Sequence, residues 1–196
     1  MTRMLIVRHG QSEWNAEGRW QGQADPPLSD LGRRQARHAA DRLGAVDVIV
    51  ASPLVRALHT ATTIAETLGV GPVVVEPDLQ ERDAGGFSGL TRAEIEERFP
   101  GYLASGRRPP GYEPDEALLA RTLAALDRIE DTYRGAEILI VSHGGVIYAL
   151  EAHHGEPFSR IPNLGARWIT HHGERTELGE RLVLVDDDEL SVPQQI

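Results

Sequence analysis

Apolar positions along this chain come in two patterns, short unbroken runs and longer stretches of helical spacing, and the two alternate. Arg3 to Val7 is a short apolar run leading into Arg8-His9-Gly10, and Val46 to Ser52, Val73 to Glu76 and Glu137 to Gly145 are β-branched runs bounded by turn residues. Such runs predict buried strands. Between them, the stretch opening at Ser29, an N-cap candidate, and closing at Gly44 predicts a helix, as does the one with Pro53 in its first turn and Gly69 at its end. A third helix is predicted from about Asp115 to Tyr133, where Leu119, Thr122, Leu123, Leu126, Ile129 and Tyr133 recur at helical spacing and Asp127, Arg128 and Glu130 fall toward water. Strands separated by helices predict an α/β fold: a three-layer sandwich with a largely parallel central sheet flanked by helices, its functional loops gathered at the carboxyl ends of the strands. The Pro/Gly-rich segment Arg107 to Pro114 leaves too little chain beyond it for an independent unit. It reads as a surface loop, and residues 1–196 as one domain.

Composition narrows the chemistry. The chain has 196 residues with 30 acids and 20 basic residues, all of them arginine, and no cysteine, for a net charge of −10. Schiff bases, a Walker-type phosphate lysine, thiol nucleophiles, thiolate metal sites and disulfides are therefore excluded. The opening residues carry neither a signal-peptide run nor a membrane span, and a cytoplasmic location is expected. A pI near 5.2 argues against general affinity for nucleic acid or an anionic membrane. Any anionic ligand must then be met by local arginines.

The predicted strands deliver recurring polar types at their ends: Arg8-His9-Gly10 after the first, Ser52 and Arg56 after the second, Ser142-His143-Gly144-Gly145 after the fourth. A single histidine there would read as structural. Two histidines and two arginines on convergent loops instead suggest a phosphate pocket, because the guanidinium fork matches phosphate oxygens and neutral imidazole can act as a nucleophile. Glycines directly after both histidines let the backbone approach an anion.

The blocks Leu5 to Ala36, Ala51 to Ala61, Leu79 to Leu90 and Ile138 to Gly145, in that order, resemble the histidine phosphatase superfamily in its phosphoglycerate mutase-like branch. The resemblance implies a phosphoglycerate mutase-like sandwich with a short cap insertion at about residues 84–115. It implies that His9 is the nucleophile that becomes phosphohistidine, that Arg8, Arg56 and His143 bind the transferring phosphoryl group, and that Glu81 protonates the leaving oxygen and then deprotonates water. Asn15, Gln21, Gly22 and Gly144 match positions that bind substrate. Two departures, Phe87-Ser88-Gly89 and the stretch Pro109 to Arg121, lie where rim residues choose the leaving group.

Within the resemblance, a cap this short and free of lysine favours a phosphomonoester hydrolase acting on small phosphorylated metabolites, with no cofactor. The alternative is a cofactor-dependent phosphoglycerate mutase using 2,3-bisphosphoglycerate, its second anionic group met by Arg107 or Arg108; a non-catalytic binding module of the same fold is the third reading. Glu76 and Asp83 compete with Glu81 as the working acid. The pairs His153-His154 and His171-His172 invite a metal reading, but adjacent histidines point apart on strand or helix alike, and no metal site is expected. Trp14 and Trp20 either wall the pocket or serve packing. The run Asp186 to Glu189 reads as a solvated turn and the residues after it as a frayed tail. An exposed apolar edge strand could support a homodimer; no nucleic-acid or membrane partner is expected.

Overall fold

The computed structural model describes residues 2–173 and 175–195. The four apolar runs become β1 (Thr2–Arg8), β2 (Val48–Ala51), β3 (Val74–Val75) and β4 (Glu137–Ser142), joined by β5 (Gly165–His172) and β6 (Arg175–Val183) in one sheet of order β3-β2-β4-β1-β5-β6. The first four are mutually parallel, while β5 runs antiparallel to β1 and β6 antiparallel to β5. The hairpin β5–β6 carries too many charges and histidines to read as a buried run, which is why its sequence gives no strand signal. β6, the long edge of the sheet, holds Arg175, Glu177, Glu180 and Arg181. Such charge opposes edge-to-edge pairing at β6, whereas the other edge, β3, is two valines with Val75 exposed.

Side chains alternate across each strand, so the sheet has two apolar faces. Met4 and Ile6 of β1, Val50 of β2 and Ile138 and Ile140 of β4 pack with Leu126 and Ile129 of α6 (Asp115–Thr132) and Val146 and Leu150 of α7 (Gly144–His153). Leu5, Val7, Ile49, Leu139 and Val141 face the other way, onto alanines of α2 (Asp30–Asp41) and α3 (Val55–Leu68). Each fully buried aliphatic side chain contributes about 1.5–3 kcal/mol, and the two faces together make the three layers. Ser29 caps α2 by accepting from Gly32 N at 3.1 Å. α2 ends at Asp41, before the expected Gly44, and α3 starts at Val55, after Pro53, while Gly69 closes α3 at φ +67°. Among the described residues no helix is long and apolar enough to cross a membrane.

Three expectations are corrected. Glu130 does not face water: it is 2% exposed, and its carboxylate lies 3.1 Å from Arg134 and 3.3 Å from His172. His171, also buried, sits 2.8 Å from both Asp127 and Thr176 side chains, so this histidine pair braces the β5–β6 hairpin against α6. The acidic run is not wholly solvated, since Glu189 is buried, with its carbonyl accepting from Gln35 at 2.7 Å and its carboxylate 2.8 Å from His38 Nδ1. Nor is the tail frayed throughout: Ser191 accepts from the Gln11 amide at 2.8 Å, and Gln195 is buried against the carbonyls of Trp14 and Asn15.

Residues 84–115 rise over the carboxyl ends of the strands as a 3-10 turn (Gly85–Phe87), α4 (Arg92–Arg98), α5 (Tyr102–Ser105) and a loop. Phe87, fully buried, is their centre, with ring centroids of Trp20 at 5.4 Å, Phe99 at 5.5 Å and Tyr112 at 6.4 Å. Gly85 lets the loop close: a Cβ there would stand 2.4 Å from Tyr112 N, and its φ is +51°. Replacing Phe87 by Ala is expected to cost about 3–5 kcal/mol of unfolding free energy. Chemical denaturation would measure it, and a loss below 1 kcal/mol would show that the cap is not organised around this ring.

Candidate active site

The parallel register of β1 and β4 places Arg8 opposite Ser142. The chain leaves both strands at the same height, and His9 N donates to the Ser142 carbonyl at 3.0 Å. His9 and His143 consequently emerge side by side, with ring centroids 5.1 Å apart and planes inclined at 61°. His9 Nδ1 is 2.6 Å from the Gly10 carbonyl. A carbonyl can only accept, so the proton is on Nδ1 and the Nε2 lone pair is free. That lone pair receives Arg56 Nε at 3.2 Å. Burial, with Arg56 and Arg8 beside it, holds the His9 pKa well below its ordinary 6.5, against a smaller upward pull from the Gly10 carbonyl.

Arg56 projects from the first turn of α3 and is fully buried, donating to the carbonyls of Ala24 and Gly22 at 2.8 Å each. Burial lowers its pKa to about 10, so the guanidinium stays charged at neutral pH. Asp25 approaches only to 4.0 Å. Gly22 is required where it stands: φ is +53°, and a Cβ would lie 2.6 Å from Ala84 N. Arg8 is anchored by the Ile161 carbonyl at 2.8 Å, and its buried Nε has no protein partner. His143 Nε2 lies 2.8 Å from Ser52 Oγ, whereas its Nδ1 is buried and unpartnered. Burial first, and then Arg56, His9 and Arg8, push the His143 pKa well below 6.5. Two neutral imidazoles between two fixed guanidinium groups make a cationic recess whose charge is not cancelled by a contacting carboxylate.

Glu81 closes the opposite side. Its carboxylate accepts from Gly145 N at 3.2 Å and from Arg82 N at 2.8 Å. Gly145 leaves room for it, since a Cβ there would sit 2.1 Å from Glu81 Oε1. The loop carrying Glu81 is clamped by Arg121 of α6, which donates to the carbonyls of Asp78, Gln80 and Glu81 at 2.6, 2.7 and 3.0 Å. Of the competing acids, Glu76 is tied to Arg128 at 2.7 Å and Asp83 caps Gly85 N at 2.8 Å, so neither faces the site. Asn15, in α1 (Glu13–Glu17), accepts from Ser12 N at 3.3 Å and Asn163 at 3.2 Å, and Gln21 accepts from Ser12 Oγ at 2.6 Å.

A pocket of about 380 Å³ opens over this recess, and Arg8, Asn15, Gln21, Gly22 and Glu81 line it. His9, Arg56 and His143 are buried and do not line it; Gly22, which does, accepts from Arg56, and Gly144, at the start of α7, directly precedes the lining residue Gly145. Trp20 both walls the pocket and packs on Phe87, and of the two cap arginines considered, Arg108 lines the pocket while Arg107 lies over the Tyr102 ring at 4.3 Å. Tyr112, Tyr148, Phe158 and Gln195 also reach the pocket, and Arg121 and Asn163 hold its parts in place. None of these carries a local signal, because each acts through a contact with a segment distant in sequence. Among the described residues no three histidine or acidic side chains gather as a metal-ligating group.

The family model described as Histidine phosphatase superfamily (branch 1) matches residues 4–179. A bifunctional protein of Mycobacterium tuberculosis is 41% identical over 150 residues, 72% of this chain but only 41% of that protein, so the chain spans well under half of this relative's length. A metal-independent phosphoserine phosphatase of Arabidopsis thaliana is 36% identical over 160 residues, covering 76% of this chain and 67% of its own. Among solved structures, a mycobacterial glucosyl-3-phosphoglycerate phosphatase in complex with VO3 superposes with a TM-score of 0.81 at 31% identity, over 91% of this chain and 97% of that one.

The buried histidines tie stability to pH. Both have folded pKa values below the unfolded 6.5, so below that pH the unfolded chain binds protons that the folded chain does not. Their contribution is complete above pH 6.5 and is lost as pH falls toward the folded pKa values, with a slope of up to about 1.4 kcal/mol per pH unit for each histidine. Denaturation midpoints from pH 7.5 to 5 are expected to fall, and less steeply in His143→Gln. An equal slope in the variant would contradict the burial of a neutral ring.

Proposed function

The chain belongs to the histidine phosphatase superfamily, branch 1, and on that premise we propose that it is a phosphomonoester hydrolase that turns over small phosphorylated metabolites through a phosphohistidine at His9. The observation that carries this reading is the His9 ring itself, with its proton held on Nδ1 by the Gly10 carbonyl and its Nε2 lone pair facing Arg56. Such a ring is a nucleophile ready at neutral pH.

In the first step Nε2 attacks phosphorus in line with the ester oxygen; the N–P bond forms as the P–O bond breaks. Arg56 Nε–H turns from the lone pair onto a phosphoryl oxygen, joined by Arg8 and by the unpartnered Nδ1 of His143. These three supply the charge stabilisation, so the reaction is expected to persist in EDTA. Protonated Glu81 gives its proton to the leaving oxygen. In the second step the Glu81 carboxylate takes a proton from water, the water oxygen attacks phosphorus, the N–P bond breaks, and phosphate leaves with His9 neutral and Glu81 protonated again.

The small substrates fit the charge distribution: the recess is locally cationic, while the net charge of −10 on the chain repels extended polyanions such as nucleic acid. The relatives' names supply two substrates, phosphoserine and glucosyl-3-phosphoglycerate, that differ beyond the phosphate. They support the reaction class and leave the leaving group open.

Purified protein is expected to hydrolyse p-nitrophenyl phosphate in EDTA, and His9→Ala to lose that activity; unchanged turnover by the variant would sink the mechanism. Glu81→Gln is expected to lower kcat/KM, which reports the step that expels the leaving group, by about 10²–10⁴ on an alkyl phosphate, and far less on p-nitrophenyl phosphate, whose leaving group needs little protonation. An equal loss of kcat/KM on both esters would remove Glu81 from protonating the leaving oxygen. With 3-phosphoglycerate, release of inorganic phosphate is expected. Formation of 2-phosphoglycerate dependent on 2,3-bisphosphoglycerate would assign a mutase instead.

A further inference from the structure

The outer half of the pocket has a character that phosphoryl transfer does not use. Along α7 the change is visible in one stripe, because Gly145, Tyr148, Ala149 and Ala152 recur at helical spacing and all line the pocket. Gly145 meets the Glu81 carboxylate at the start of the helix. By Ala152, about 10 Å further along the axis at 1.5 Å per residue, the stripe has become apolar. Leu119 of α6 faces the same space, and Tyr112 and Phe158 line it.

Phe158 stands out because it is 61% exposed. Its ring lies 5.0 Å from that of Tyr148, and the Tyr148 hydroxyl accepts from Ile161 N at 2.8 Å. The Ile161 carbonyl is the one that anchors Arg8. A large ring set against Tyr148 at a pocket mouth, with much of its surface in water, presents unused apolar area. The charged rim offers less. Arg82 is occupied by Asp115 at 2.6 Å and by the Glu113 carbonyl, and Arg19 by Glu17 and Glu94 at 2.9 Å each. Arg108, over the Tyr112 ring at 4.7 Å, is the remaining pocket arginine that could meet a second anion, and the test below includes it.

We propose that the outer half is an apolar subsite, and that the substrates are phosphomonoesters whose body is aromatic or aliphatic, seated against Phe158, Tyr148 and Leu119 while the phosphate lies over His9. This rests on the phosphatase reading above and specifies its leaving group.

The test compares kcat/KM for 2-phenylethyl phosphate, glycerol 2-phosphate and 3-phosphoglycerate, all alkyl esters, so that leaving-group acidity does not decide the order. Phenylethyl phosphate is expected to lead by about tenfold or more, and its advantage over glycerol 2-phosphate to shrink about fivefold in Phe158→Ala and to persist in Phe158→Tyr. Phe158 lies on the surface, so its replacement leaves the core in place. Preference for glycerol 2-phosphate, or an unchanged ratio in Phe158→Ala, would overturn the proposal. So would preference for 3-phosphoglycerate that is lost in Arg108→Ala, which would assign the rim to an anion. Calorimetric binding of the three esters to His9→Ala separates the two readings: tighter binding of phenylethyl phosphate without turnover by the parent would retain the subsite and reject the phosphohistidine mechanism.

Discussion

The last rung between β1 and β4, from His9 N to the Ser142 carbonyl, sets where both histidines stand. Parallel pairing brings Arg8 level with Ser142, so the two chains leave the sheet together and their next residues meet above its edge. A slip of one residue would exchange the faces of every side chain in β1, turning Met4 and Ile6 away from α6 and α7. The two apolar faces oppose that slip, and the spacing of the two histidines is therefore held by the whole core. Hydrophobic alternation and active-site geometry are the same constraint seen at two places along one strand.

Within that frame, the two arginines of the recess are held by backbone carbonyls more than by acids. Arg8 rests on Ile161 and Arg56 on Ala24 and Gly22, while Arg121 adds three carbonyls of the loop that carries Glu81 to its ion pair with Glu113. A carbonyl fixes a guanidinium without neutralising it, and the planar fork can meet two or three at once, which an ammonium cannot do with comparable geometry. A chain with no lysine gains by this arrangement a rigid recess that keeps its positive charge. The same burial that orients the arginines keeps both imidazoles neutral, so one physical condition supplies both the positive charge of the recess and the unprotonated ring that the proposed mechanism uses.

The supports of this recess come from segments far apart in sequence. Asn163, just before β5, holds the His9 carbonyl, and Ser191 holds Gln11. Gln195 reaches the carbonyls of α1 beside Asn15. Tyr148 couples two properties of the pocket, since its ring backs Phe158 while its hydroxyl orders the segment whose carbonyl anchors Arg8. The proposed seats of substrate body and phosphate thus share one support.

The sequence alone determined the order of β1 to β4 with α2, α3 and α6 between them, because apolar periodicity is local. It also singled out Arg8, His9, Arg56 and His143 as polar residues at the ends of buried runs in a chain with no lysine or cysteine, and the structure brings His9, Arg56 and His143 together. Glu81 could be singled out from Glu76 and Asp83 only by the resemblance of its surrounding block; the structure separates them by what each carboxylate touches. Periodicity alone placed Glu130 in water, but the β5–β6 hairpin covers it, and the same kind of long-range contact buries His171, Glu189 and Gln195. Only the tertiary structure decided the protonated nitrogen of His9, the clamp of Arg121 and the presence of Phe158 at the pocket mouth. These depend on which carbonyl or ring packing brings close, and a local pattern holds no record of that.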